Sequence, residues 1–423
     1  MIQSSACRPP PTYRGGTDAS RRMLPRSLTR YLPGWLILMG ALTAIGPFSI
    51  DMYLPAFPAI ASDLQVPRGA IERTLAAYLV GMALAQVVYG PLADRYGRKK
   101  PMLAGMVLYV AASVGCALSG SVQALTVFRV LQALGGAAGV VIPRAVIRDH
   151  YETQDAARAM SLLMLIMGLA PILAPIAGGQ LLIVSGWRSL FWLMAAGALA
   201  LLVATALIMR ESLDPSRVQP LGAAPIARNY AALMRHRGFV SHSLAGGFGQ
   251  AGMFAYIVSS PHVFIELYGV DPQHYGFLFG ANAASLIAGS QVSARLLRSH
   301  TPRQLQRRAL AALAASSLAA LALALAGLMT LPLLMACLIG YMFSQGFVNP
   351  NSAALALSEQ GSRLGAASAL LGTLQLSCGA LAGFVVSAWQ GAGPLPLAAV
   401  LAGCACLSWL SGHAAPAEHH PVA

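Results

Sequence analysis

GPLADRYGRKK, residues 90–100, is a short polar bridge between two apolar runs. Four cations, Arg95, Arg98, Lys99 and Lys100, crowd into a segment too short to fold alone. Basic residues in a short loop between membrane spans hold that loop on the cytoplasmic side. Gly90 lets another helix approach closely. The Asp94 carboxylate suits the N-terminal amides of a nearby helix, whose dipole it complements.

The rest of the chain repeats this pattern of long apolar run and short polar loop. Of 423 residues, 57% are hydrophobic and 10% charged, with a mean hydropathy of +0.63. A soluble protein of that length needs far more charged surface. Apolar runs near the roughly 20-residue spanning length occur at 34–57, 71–92, 101–119, 121–143, 159–184, 188–209, 239–262, 273–297, 309–329, 331–352, 364–388 and 393–411. The reading is an all-α polytopic membrane protein with twelve transmembrane helices.

Six spans precede residues 210–238 and six follow, so 34–209 and 239–412 read as two six-helix halves joined by a cytoplasmic linker. Residues 1–33 are rich in Arg, Pro and Ser and predict a disordered cytoplasmic tail. The first apolar run is too long for a cleaved signal, so it stays as an anchor, and Met1 and Met23 both stand as starts. Residues 413–423 form a short C-terminal tail.

Net charge is +14, which by itself would fit a nucleic-acid partner. Its distribution argues otherwise. Of the 28 Lys and Arg, 24 fall in the N-terminal tail and the loops on its side, and three (Arg68, Arg73, Arg188) on the other. That asymmetry is topological: both termini inside, the chain in a bilayer, no nucleic acid. The six cysteines show no framework and read as small packing residues. No metal set and no Walker-type glycine loop appears, so neither cofactor nor direct ATP drive is expected.

Two residues stand out because hydrocarbon makes them expensive. Arg129 lies inside the fourth span, in FRVLQALGGAAG (128–139), and needs a wet cavity or a partner. Asp51 lies in the first, in FSIDMYLPAFPAIA (48–61), and an intramembrane carboxylate is a functional candidate by default. Counting at 1.5 Å per residue puts Asp51 about 9 Å and Arg129 about 12 Å below the outer surface, with Tyr78 at a similar level. An acid, a base and a phenol at one depth suggest a group whose protonation depends on which side is open; an outer helix cap is the plainer alternative for Asp51. In the fifth span, GLAPILAPIAGG (168–179) sets Pro171 and Pro175 between Gly168 and the pair Gly178–Gly179, a kinked helix. Gln250, Gln345 and Asn349 can line a cavity in the second half, with Asn282 and Gln375, or simply bond between helices. His242 and His262 are lone histidines, read as packing or interfacial groups, with proton relay open.

The 90–100 loop resembles the G-x-x-x-D-R-x-G-R-K element of the major facilitator superfamily, matching at Gly90, Asp94, Arg95, Gly97, Arg98 and Lys99. Arg129 and Gln132 are similar to that superfamily's R-x-x-Q-G-type element in span four. The stretch at 168–179 is similar to the span-five motif of drug:proton exchangers, with Ala170 and Ala174 where glycine commonly precedes proline. Together with SIDMYLPAFPAIA these resemble the bicyclomycin/chloramphenicol-resistance branch, most closely over residues 40–210. The resemblance implies a twelve-helix major facilitator fold in a bacterial inner membrane. It implies a proton-coupled exporter of small drugs or metabolites, working as a monomer and not an enzyme. It also implies a latch from the 90–100 loop to span eleven, with Arg98 able to pair with Asp149, and a proton-transfer role for Arg129. A metabolite uniporter or symporter is the alternative within the fold; an integral-membrane enzyme or sensor is the alternative outside it.

Overall fold

The computed structural model describes residues 34–151, 153–214, 223–358, 360, 363–389 and 393–415. The expectations for residues 1–33, for the start at Met1 or Met23, for the middle of the linker and for the end of the C-terminal tail lie outside them.

Helix is the only regular structure among the described residues. In hydrocarbon each backbone N–H and C=O must be satisfied within its own segment, which the helix alone does in a single pass. The first span is α1 (Gly34–Asp51) followed by the short α2 (Phe57–Asp63). Spans two to six are α3 (Arg68–Tyr96), α4 (Lys99–Ala117), α5 (Val122–His150), α6 (Thr153–Ser185) and α7 (Arg188–Ile208). Then comes α8 (Ala223–Arg235). Spans seven to twelve are α9 (Arg237–Pro261), α10 (Pro272–Leu296), α11 (Pro302–Leu325), α12 (Leu331–Leu357), α13 (Leu364–Ala388) and α14 (Leu395–His413).

Ten of the twelve are long and apolar enough to cross a membrane by composition alone. The other two, α9 and α10, run 25 residues each but carry more glycine and polar side chains. They can do so because they face other helices. Much of α9 is buried, where it packs on α12, α13 and α14.

The two sets of six are packed on one plan. In the first, α5 lies against α3 and α4, α4 against α7, and α1 against α5 and α6. In the second, α12 lies against α10 and α11, α11 against α14, and α9 against α12 and α13. The sets meet along two seams, α3 with α13 and α6 with α10. Shifting every span by six exchanges those seams, so the repeat that is faint in sequence is plain in packing.

Close approach along the seams is uneven. At the end remote from the basic 90–100 loop, a Cβ on Gly69 would lie 2.6 Å from the Ser387 carbonyl oxygen, and one on Gly179 would lie 2.6 Å from that of Pro272. Only glycine permits this. At the basic end, a Cβ on Gly90 or Gly365 would meet nothing within 4 Å. The seams are tightly packed at the far end, and at the basic end these two glycines have no described residue against them.

Two features depart from the sequence reading. The linker at 210–238 contains a helix, α8, whose Leu233 packs with Phe239, Ala367 and Leu371 beneath α13. The first span is broken rather than continuous. Met52 and Tyr53 form a turn and Leu54–Ala56 a 3₁₀ turn before α2 resumes. Pro55 and Pro58 each lack an N–H, which removes the bonds an unbroken helix would need here.

Candidate functional site

Asp51 is the last residue of α1, at the break. It is 4% exposed, and it makes no hydrogen bond or ion pair with another described residue. The Leu54–Ala56 turn just after it packs on α6 of the first half and on α9 and α10 of the second. The acid therefore sits where the two halves meet. Gly178 of α6 passes directly against the Met52 carbonyl of the break, which fixes the turn from behind.

Arg129 is fully buried in α5 and is held wholly within the first half. Its Nη1 donates to Gln132 Oε1 at 2.6 Å and its Nη2 to the Ser49 carbonyl at 3.0 Å. The guanidinium carbon lies 4.3 Å from the Tyr78 ring centroid and 4.6 Å from that of Tyr53. Aromatic faces stabilise a desolvated cation. Gln132 Nε2 in turn donates to Ser113 Oγ at 2.8 Å, and the Ser49 and Tyr109 hydroxyls are 2.5 Å apart. The structure thus joins Arg129 to Tyr78 and Gln132, as a fixed cation in an aromatic box. It does not join Arg129 to Asp51 as an ion pair. Arg129 instead holds the backbone carbonyl of Ser49, two residues before the acid.

The interior of the second half is neutral. Gln375 Nε2 donates to Asn349 Oδ1 at 3.2 Å, and Asn349 Nδ2 donates to Gln250 Oε1 at 3.4 Å, linking α13, α12 and α9. Gln345 is fully buried, and neither polar atom of its amide has a partner among the described residues. Asn282 Nδ2 donates to Tyr256 OH at 3.1 Å. His242 is buried in α9, while His262 opens a π turn (His262–Leu267) at the far end. Pro171 and Pro175 lie inside α6, which continues through both, and Gly168 faces Ile287 of α10.

At the basic end, Arg98 bridges two acids: Nε donates to Asp149 Oδ2 at 2.9 Å and Nη1 to Asp94 Oδ1 at 2.5 Å. Ser212 Oγ also donates to Asp149, at 3.0 Å. Arg95 sits in the last turn of α3, where a cation complements the dipole. Asp94 is half-exposed. The carboxylate at a helix N-terminus here is that of Glu211, which accepts from the backbone N–H groups of Arg98 (2.7 Å) and Lys99 (3.1 Å) at the start of α4. Partial burial disfavours its charge, but backbone donors from Arg98, Leu213, Lys99 and Ser212 prevail and hold the carboxyl below its usual range. Gly97 has φ +86°, and a side chain there would run into Glu211. Sequence reasoning missed Glu211 because its partners are more than a hundred residues away. The available signal was an acid, in RESLD, directly after the sixth span of a basic-sided chain.

The described residues hold no cluster of three or more His, Cys, Asp or Glu that could bind a metal.

The family model described as Major Facilitator Superfamily matches residues 39–383. Among curated relatives, the MFS-type transporter YdgK of Bacillus subtilis is 35% identical over 81% of this chain and 86% of its own length. A bicyclomycin resistance protein homolog of Haemophilus influenzae is 29% identical over 89% and 94%. The multidrug resistance protein MdtL of Escherichia coli is 31% identical over 59% and 63%. Among solved structures, a peptide transporter POT superposes with a TM-score of 0.72 at 15% identity, covering 90% of this chain and 93% of that one. A D-xylose–proton symporter gives 0.67 at 15% identity, over 90% and 96%. Those structures share the fold, and the sequence match extends through both halves: the chain belongs to the major facilitator superfamily.

Proposed function

We propose that this chain is a proton-coupled exporter of small drugs or metabolites in a bacterial inner membrane. The observation that carries the reading is Asp51: a buried carboxyl with no partner among the described residues, at a helix break, beside the seam between two halves that move relative to each other in this superfamily. Discontinuous helices at a repeat interface are where transporters place coupling ions. A cation fixed in the same half can bias the acid without neutralising it in a permanent ion pair. Protonation of Asp51 from the outside accompanies release of substrate; deprotonation toward the inside accompanies loading. One proton entering gains about 2.3 kcal/mol per 100 mV of membrane potential, enough for more than tenfold accumulation.

The halves 34–209 and 239–412 rock about the linker, with the basic end facing the cytoplasm as the 24-to-3 bias of Lys and Arg requires. The arrangement is then open to the inside and sealed outside. In the alternate state Asp94 and the 90–100 loop latch against the start of α13. A monomer suffices, since both seams are internal to one chain. Export rather than uptake rests on two of the relatives, the bicyclomycin resistance protein homolog and MdtL, which are named for drug resistance. Expression in a strain lacking its own exporters tests it. Resistance should rise for a subset of a drug panel, and dissipating the proton gradient should remove the gain. Accumulation of those drugs above the control would reverse the direction.

A further inference from the structure

The far-end seam contains ionisable groups that the reading above leaves unused. A small cavity of about 20 Å³ is lined by Arg68, Glu72, Ser259, His262, Ser387 and Trp389, among others. That is room for one water molecule. Glu72 of α3 is 6% exposed and accepts no hydrogen bond from any described residue. Across the seam, His262 uses Nδ1 on Glu266 Oε2 at 2.9 Å, while its Nε2 is enclosed with no partner. Two polar groups with no partner among the described residues, one from each half, thus line the same small cavity. The same Glu266 oxygen takes Arg68 Nη1 at 3.2 Å, an ion pair that spans the seam.

We propose that Glu72 and His262 form a second proton-binding site, set in the far-end seam and separate from Asp51. A carboxyl and an imidazole that line one water-sized cavity can share a proton through that water. Neither can reach bulk solution from the basic end while the seam is closed. A proton arriving from the far side meets this pair first, at the contact that must part for that side to open. The charges facing Glu72 are Arg68 and Arg73 on its own helix and Glu266 and His262 on the π turn. From α13 and the start of α14 the cavity receives Val386, Ser387, Trp389, Pro396 and Leu397, none of which titrates near neutrality. The neighbouring α2 ends in Asp63, whose charge is taken by Arg188 at 2.7 Å.

The inference rests on the proton-coupled reading, and one experiment separates the two. Infrared difference spectra of the purified full chain in lipid, titrated with acid, report the C=O band of each protonated carboxyl. Two buried components are expected in the wild type. Asp51→Asn should remove one and Glu72→Gln the other, both variants keeping the wild-type thermal midpoint closely because each amide is nearly isosteric. His262→Gln should move the titration midpoint of the Glu72 component and leave that of Asp51 in place. A Glu72→Gln spectrum that retains every wild-type component would overturn the second site. So would a His262→Gln midpoint that does not move. Loss of nothing in Asp51→Asn, with the Glu72 component present, would instead strike the Asp51 reading and leave the second site standing.

Discussion

The two halves share one packing plan and differ in what they bury. Among the described residues, every buried Asp, Glu and Arg side chain (Asp51, Glu72, Arg98 and Arg129) lies in the first half. The second half buries amides, hydroxyls and His242. Charge inside a membrane is costly whichever helix carries it, so nothing in the fold itself demands this segregation. On the function proposed above, it places the coupling acid Asp51 in the first half, while the second, His262 at the far-end seam apart, offers neutral hydrogen-bonding groups that suit varied uncharged ligands.

The strongest way to break that contrast is to exchange effects between the halves. Asp51→Asn should abolish uphill export in vesicles, a loss of at least the tenfold accumulation one proton can drive. Asn349→Ala should leave the proton dependence intact and change which substrates are carried. A coupling defect from Asn349→Ala as deep as that from Asp51→Asn would erase the division.

Next in size is Arg129→Lys. Lysine keeps the charge but loses the planar fork that spans Gln132 and the Ser49 carbonyl and the face that stacks on Tyr53 and Tyr78. Losing one charged hydrogen bond in a buried site should lower stability by about 2 kcal/mol, read as a lower thermal midpoint of the purified protein. An unchanged midpoint would mean that the aromatic box is not holding the cation.

Gln345 sharpens the comparison from the other side. With neither polar atom partnered in this state, Gln345→Leu should be neutral or stabilise the substrate-free protein by roughly 1 kcal/mol. If the amide serves substrate, transport falls while the midpoint holds or rises. A fall in both would show that it is structural.

The smallest effect concerns the basic end. Glu211 has a lowered pKa, so its contribution is present above the unfolded value of about 4.3 and is lost as pH falls through the folded one. Glu211→Gln should cost about 0.5 kcal/mol at neutral pH, at the low end for a partly solvated helix-terminus charge. The difference in thermal midpoint from wild type should shrink to nothing in acid. A gap that persists at low pH would assign the effect to packing.

What could be seen in the sequence was whatever hydrocarbon penalises. Asp51 and Arg129 stand out because each breaks an apolar run, and the 90–100 loop because four cations in eleven residues set the topology. Their mutual geometry was not legible. Depth counting placed Asp51 and Arg129 level, but helix rotation and the break at Met52–Tyr53 decide that they do not pair. Tyr256 carried no signal, being an ordinary aromatic in an apolar run until packing brings Asn282 to its hydroxyl. α8 was hidden because only Leu233 and its neighbours make it worth ordering, by contact with α13 more than a hundred residues on. The weaker apolarity of α9 and α10 was visible, and its reason lies in packing: both face other helices.

The central claim is that Asp51 exchanges a proton for substrate. Proton release on addition of a transported drug to the detergent-solubilised chain, wild type against Asp51→Asn, tests it most directly. Release from the wild type and none from Asp51→Asn is expected, with the variant still binding a neutral drug. Equal proton release from both would contradict it and move the coupling to another group.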